Sequence, residues 1–369
     1  MIFAILDKEK SSQEFARKEL AELIISKGHS VFVGGVKDSI INKYYKDHNI
    51  TFFNLSVTRN SLNPIKELAS VLTVYKQIKK HSVENVIIYG IKKHFSFTLG
   101  SIFGGAKNII CVVNGSGNLL MMGGTKGKIL RALAFPCLRY AYKRCLAVCF
   151  QNNDDYIEFQ KKKLITDKTN AFVTNGSGVN LSAFPFSPMP QENRFLFLSR
   201  ITPSKGIREF LSAARRVKEK YPDCIFDVVG QIDNVVEKNC TDLVQKAIEE
   251  NLINYYGYKN NVAECIEKAR FFVLPSYYRE GVPRCILEAL SCGRPIVTTN
   301  WQGCKETVMS NEKGFLVPVK DCQAIADKMI WLIEHPKEAE IMGEKSRKLA
   351  ETKFDVNKIN ETLIGKFEE

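Results

Sequence analysis

Two glutamates separated by seven residues, Glu280 and Glu288, flank a glycine and a proline in the segment PSYYREGVPRCILEALSCGRPIVTT (275–299). The segment follows an apolar run, ARFFVLPS (269–276), that reads as a strand. Gly281 and Pro283 favour a tight turn, and a helix is expected from about Arg284. That arrangement leaves Glu280 on a loop and puts Glu288 about one turn inside the helix. An ionised carboxylate only accepts hydrogen bonds, so such a pair suits hydroxyl-rich ligands, one glutamate meeting a sugar and the other a ribose diol. The N–H groups at the helix start, on Val282 and Arg284 either side of Pro283, can point at a phosphate or sugar oxygen. Taken singly, each glutamate has an ordinary reading: Glu288 as a helix residue, Glu280 as a solvated loop charge.

The elements that must hold these residues are legible along the whole chain. In the first half, strand-like runs occur at 2–6 (IFAIL), 30–35 (SVFVGG), 50–55 (ITFFNL), 85–90 (NVIIYG), 108–114 (NIICVVN) and 146–152 (LAVCFQN). They have few polar breaks, as strands covered on both faces do. Helix-like segments separate them, such as FARKELAELIISKG, which stops at Gly28. A stretch with Pro185, Pro188 and Pro190 breaks the pattern between Ser182 and Asn193. The alternation then restarts at 194–200, 225–231, 253–258, 269–276, 295–300 and 314–318, and the chain is expected to end in helix from about Asp321. Strand–helix alternation on both sides of a proline-rich hinge predicts two doubly wound parallel sheets, with a crevice at the strand C-terminal ends.

The pattern E-G-x-P-x-x-x-x-E-A, followed by G-x-P-I-V-T-T, resembles the retaining glycosyltransferases of family 4. The resemblance covers nearly the whole chain and is strongest over 194–320. It implies an α/β fold of two Rossmann-like, doubly wound domains facing across a cleft (GT-B). The domains would comprise 1–186, completed by a C-terminal helix at 355–369, for the acceptor, and 187–354 for the donor. LSRITPSKGIREF (198–210) is similar to the family's R-x-x-x-x-K-G turn, which implies that Arg200 and Lys205 hold the donor's diphosphate. Chemistry agrees: a leaving diphosphate gains negative charge, and two fixed cations at a strand end stabilise it. VGQIDN (229–234), with Gly230, and GYKNNV (257–262), with Tyr258, resemble the loops near the donor's base. TNGSGVNLSAF (174–184) and WQGCKETV (301–308), with Glu306, resemble further family segments.

The first half departs from the family's commoner pattern. DKEKSSQEFAR stands where many relatives have a glycine-rich loop, and VVNGSG puts Asn114 where many have a histidine. RNSLNPIKEL (59–68) looks like a subgroup that extends polyprenyl-diphosphate-linked sugars in bacterial glycan assembly. His94 follows a strand end, either lining the cleft or serving no special role.

Of 369 residues 45% are apolar and 25% charged, a globular composition. The eleven cysteines form no C-x-x-C, and many sit in apolar runs, which favours reduced buried thiols over disulfides or zinc. Of the net charge of +13, all lies in residues 1–190, and no acid occurs between Glu84 and Asp154. The stretch 124–145 carries Lys126, Lys128, Arg131, Arg139, Lys143 and Arg144 among apolar residues. It reads as a helix interrupted at Pro136, with an apolar–basic face for an anionic membrane or with an ordinary solvated face; Leu133, Phe135 and Leu138 are the candidates for insertion.

The expected activity is transfer, with retention, of a hexose or N-acetylhexosamine from a UDP-sugar to a saccharide acceptor, lipid-linked in this reading. UDP-sugar is the co-substrate, and no metal is expected. The expected location is cytoplasmic, peripheral on the inner face of the cytoplasmic membrane. A nucleotide-sugar 2-epimerase shares the two-domain shape but would need acid–base groups at the sugar's C2, and no such cluster is evident. A nucleic-acid-binding protein would explain the pI of 9.1, but no recognisable module of that kind is present and the glutamate pair would be purposeless.

Overall fold

The computed structural model describes residues 1–7, 17–36, 45, 47–48, 50–55, 64–233, 240–308 and 313–369. Most of DKEKSSQEFAR, the first five residues of RNSLNPIKEL and Asn234 lie outside them.

The chain divides into two compact units, Met1–Ser177 with Val356–Glu369, and Gly178–Asp355. The division falls upstream of residue 186, the boundary expected from the prolines. Val179 explains the difference. It is buried in the second unit's core, bridges to Asp355, and donates its N–H to the Phe354 carbonyl at 2.8 Å.

Among the described residues the first unit holds seven parallel strands: β1 (Ile2–Leu6), β2 (Ser30–Gly35), β3 (Thr51–Asn54), β4 (Asn85–Tyr89), β5 (Asn108–Val113), β6 (Ala147–Phe150) and β7 (Ala171–Val173). Their order across the sheet is β3-β2-β1-β4-β5-β6-β7. Side chains alternate along each strand, so the sheet feeds two separate cores. Ala4, Leu6, Val86, Ile88 and Cys111 pack on one face with Val74, Phe97 and Tyr142, from the helices Pro64–Lys80, His94–Gly104 and Gly124–Tyr142. Phe3, Ile5, Ile87, Ile110 and Val112 pack on the other with Leu20 and Ile24 of Lys18–Ser26 and Leu363 and Ile364 of Val356–Gly365. That double burial is why these strands read as near-continuous apolar runs.

The second unit repeats the plan with β8 (Arg194–Leu198), β9 (Ile225–Val229), β10 (Asn254–Tyr255), β11 (Phe271–Leu274), β12 (Ile296–Thr299) and β13 (Gly314–Val317), in the order β10-β9-β8-β11-β12-β13. In each sheet the chain reverses direction once, between β1 and β4 and between β8 and β11. The connections leaving those two strands diverge to opposite faces, and open parallel sheets bind ligands at such points. All eleven cysteines are free thiols.

The expected break at Pro136 is absent, because Gly124–Tyr142 is one helix. Proline removes the bond to the carbonyl four residues back, at Ala132. Both residues lie on the exposed side, so the carbonyl that loses its partner is not left in the core.

Candidate active site

The site is built where β8 and β11 diverge. Beyond β8, Pro203–Lys205 form a single tight turn, closed by the Lys205 N–H on the Thr202 carbonyl at 3.1 Å. Gly206 ends it at φ +82°, and a Cβ there would lie 2.2 Å from the Pro275 carbonyl oxygen. Only glycine lets this turn seat directly on the chain leaving β11.

Two further bonds lock the seat. The Tyr277 N–H donates to the Ser204 carbonyl at 2.8 Å, and the Thr299 hydroxyl donates to the Ser276 carbonyl. Ser276 is fully buried, and its hydroxyl donates to Glu280 Oε1 at 2.9 Å while receiving the Tyr278 N–H at 3.3 Å. The other Glu280 oxygen receives Lys205 Nζ at 2.5 Å. Burial alone would push the Lys205 ammonium down, but the Glu280 carboxylate outweighs it and holds the group above the usual lysine value. Lys205 therefore stays cationic through the physiological range.

The turn after Glu280 behaves as its glycine and proline predict. Gly281, Val282 and Pro283 are buried, and Pro283, in extended conformation, precedes the helix Arg284–Ser291. The N–H groups of Ile286 and Leu287 return to the Pro283 carbonyl at 3.1 and 3.3 Å. Glu288 is the fifth helical residue, buried, with Arg284 Nη2 3.7 Å from its carboxylate. The loop 301–304 lies against this turn: a Cβ on Gly303, at φ +80°, would come within 2.3 Å of the Gly281 carbonyl oxygen. Burial pushes the neighbouring Cys304 thiol up to about 12.

Arg200, 49% exposed, pairs with Asp233 at 3.2 Å. The two loops run side by side, tied by Ile201 N–H to the Gln231 carbonyl and Asp233 N–H to the Ile201 carbonyl. Gly230 donates its N–H to the Gly257 carbonyl at 2.8 Å, and the Tyr255 hydroxyl donates to the Gly230 carbonyl at 3.0 Å. The loops bearing Gly230 and the exposed Tyr258 thus form one edge beyond β9 and β10. Lys205 and Glu280 meet directly; Arg200 and Glu288 each have a different partner.

In the first unit, Asn114 follows β5 and is half-buried. His94 does not line a cleft: it is fully buried, with Nδ1 2.9 Å from the Tyr142 hydroxyl and Nε2 3.2 Å from the Val112 carbonyl. A strand-end histidine with both ring nitrogens bonded in the core positions a helix, so it leaves the list of catalytic candidates. Glu306 sits at 3.4 Å from Lys353 within the second unit. Two of the six basic residues are also committed elsewhere. Arg131 donates to the Leu119 and Met122 carbonyls, and Arg139 to those of Lys162 and Lys163. Leu138, expected at the surface, is in the core, while Leu133 is exposed.

Ser276 and Asp233 were not among the residues expected from the sequence, although both stand inside its motif segments. A hydroxyl directly after an apolar strand and ahead of a loop carboxylate was the available signal for Ser276. Nor was Asp7 expected; it follows β1, and its carboxylate lies 3.2 Å from Arg17 Nε, with the Arg17 guanidinium stacked 3.4 Å above the Tyr89 ring.

Solved structures share this architecture throughout. HepE of Anabaena, crystallised with UDP and glucose, superimposes with a TM-score of 0.82 at 17% identity, covering 100% of this chain and 99% of that one. Sucrose-phosphate synthase of Thermosynechococcus elongatus gives a TM-score of 0.80 at 15% identity, covering 100% and 98%. The fold is GT-B, and the protein is a glycosyltransferase. More particularly, residues 183–349 match the family described as Glycosyl transferases group 1, so that span is a group 1 glycosyltransferase domain. Two curated relatives extend the likeness across both units. The N,N'-diacetylbacillosaminyl-diphospho-undecaprenol alpha-1,3-N-acetylgalactosaminyltransferase of Campylobacter jejuni is 24% identical over 87% of this chain and 86% of its own length. The UDP-Gal:alpha-D-GlcNAc-diphosphoundecaprenol alpha-1,3-galactosyltransferase of Escherichia coli is 25% identical over 86% and 83%.

Proposed function

We propose that this enzyme transfers a hexose or N-acetylhexosamine from a UDP-sugar to a saccharide carried on a polyprenyl diphosphate, with retention at the anomeric carbon. The observation that carries the reading is the Lys205–Glu280–Ser276 constellation at the β8/β11 divergence, beside a helix start. Lys205, kept cationic, and the accessible Arg200 neutralise the diphosphate as it departs. The N–H groups opening Arg284–Ser291 add partial positive charge to the same anion. Glu280 accepts hydroxyl hydrogen bonds from the transferred sugar and Glu288 from the ribose, while the edge formed by Gly230 and Tyr258 meets the base.

In this reading, the departing diphosphate takes the acceptor hydroxyl's proton on the face it leaves. No enzyme nucleophile is required, and two cations supply the charge that a metal would otherwise bring. The second unit handles the donor and the first the acceptor, with Asn114 on the acceptor side. The acceptor class is supported by the two relatives named for diphospho-undecaprenol substrates. A lipid-borne acceptor implies work at the cytoplasmic face of the membrane, and in this reading the enzyme is peripheral there. Among the described residues no helix is long and apolar enough to cross a membrane.

The test has two parts. UDP- and GDP-sugars are screened for protection against thermal unfolding, and each hit is assayed for transfer to an undecaprenyl-diphosphate-linked saccharide in the presence of EDTA. A UDP-sugar that protects and is transferred, with an anomer matching the donor by NMR, is the expected result. Protection by GDP-sugars alone, inversion, or loss of turnover with EDTA would overturn the corresponding part.

A further inference from the structure

The helix Gly124–Tyr142 presents one side to the first unit's core and the other to solvent. Gly127, Leu138, Ala141 and Tyr142 are buried, which fixes its rotation. Opposite them, Ile129 is 56% and Leu133 70% exposed, and Pro136 and Tyr140 are exposed further along. Positions 129, 133, 136 and 140 follow the helical repeat and form one stripe. Met121 and Met122, also exposed, lead into it. A continuous apolar stripe on a solvent face costs solubility and marks a contact surface.

The charges around the stripe state what the contact is. Lys126 and Lys128 stand exposed near one end and Lys143 and Arg144 at the other, with the Arg144 guanidinium 4.7 Å over the Tyr140 ring. The helix has no acidic residue in its first turn, where its dipole favours one, and carries Lys126 there instead. An external anion at this end would offset the cost of that arrangement. The first unit as a whole has 28 lysines and arginines against 16 acidic residues, a net of +12. A second copy of so basic a unit would repel it, whereas an anionic bilayer complements charge and apolar stripe together.

We propose that Gly124–Tyr142 is the membrane-seating element of the enzyme. Ile129, Leu133, Pro136 and Tyr140 enter the interface of an anionic leaflet, and Lys126, Lys128, Lys143 and Arg144 meet its phosphates. Arg131 and Arg139, bonded to backbone carbonyls, take no part. The proposal deepens the reading of a lipid-borne acceptor and rests on it, but the two can fail separately.

The full chain is cosedimented with phosphatidylcholine vesicles with and without phosphatidylglycerol. Two variants are compared with it: Ile129→Ser with Leu133→Ser, and Lys126→Ser, Lys128→Ser, Lys143→Ser and Arg144→Ser combined. Melting temperature and protection by UDP serve as controls for folding. The wild type is expected to bind anionic vesicles and only weakly to neutral ones. The charge variant should lose about a hundredfold in affinity, and the apolar variant should lose the fraction that salt does not release. Undiminished binding by either folded variant, or none by the wild type, overturns the proposal. A dimer in the wild type that Leu133→Ser dissolves would also overturn it, making a second copy the occupant. Should vesicle binding follow this pattern while no lipid-linked saccharide accepts sugar, the acceptor reading falls and the membrane face stands.

Discussion

Both units place a cation, a carboxylate and a tyrosine where their sheet reverses, and they use them differently. In the first unit Asp7 and Arg17 belong to one connection, out of β1, and their side chains are only 3% and 6% exposed beneath the Tyr89 ring. In the second unit Lys205 comes from the β8 side and Glu280 from the β11 side, so the pair spans the divergence, with Tyr278 5.8 Å from the ammonium. A pair drawn from one connection ties the start of the following helix back to the end of its own strand. A pair drawn from two strands can be opened by a ligand that offers Lys205 a phosphate and Glu280 a hydroxyl. The same topology yields a strut in one unit and the proposed donor site in the other, and the difference lies in which strands donate the partners.

The contrast can be broken most severely at the strut. Arg17→Ala removes the guanidinium bonded to the buried Asp7 carboxylate, a change that costs about 3 kcal/mol of stability. Denaturant unfolding should show that loss while UDP affinity, measured on the folded fraction, stays unchanged. A collapse of UDP binding with stability intact would make the first unit's pair part of the donor site. Next comes Arg200→Ala, which should lower turnover at least about a hundredfold with an unchanged melting temperature, because an exposed arginine contributes little to folding. Lys205→Ala should lower turnover comparably and also destabilise, since it removes the ammonium that neutralises Glu280.

The glutamates sharpen the comparison further. Glu288→Gln should weaken UDP binding by about 1–3 kcal/mol in calorimetry, the worth of a charged hydrogen bond. Glu280→Gln should chiefly depress turnover, and equal losses of UDP affinity in both would end that division of labour. The smallest effect concerns thiols. Burial raises Cys149 and Cys304 to about 12, so the thiolate is scarce at pH 8 and the native protein should alkylate there slowly. Mass spectrometry should find Cys137 and Cys322, both partly exposed, modified first. Equal labelling of all four would mean that the cores open readily.

The strands were readable because double burial leaves few polar breaks, and the Glu280 turn because Gly281 and Pro283 have few other uses. The strands' ends were not: INYYGY shrinks to Asn254–Tyr255, and the three-residue β7 carried no pattern at all. A histidine's type says nothing of its burial, so His94 could not be told from a ligand-facing residue before its bonds to Tyr142 and Val112 were seen. Lys205 and Glu280 were legible separately as motif members. Their direct pairing, and the seat made by Gly206 on Pro275, arise from tertiary contact between segments about seventy residues apart.

In the proposed function the donor's diphosphate is held at the β8/β11 divergence. Calorimetric titration of UDP into the wild type and into folded Arg200→Ala tests it most directly. UDP affinity is expected to fall by about 1.5–3 kcal/mol, as for a lost charged hydrogen bond, with an unchanged melting temperature in the free protein. Equal UDP affinity in the two proteins would contradict it.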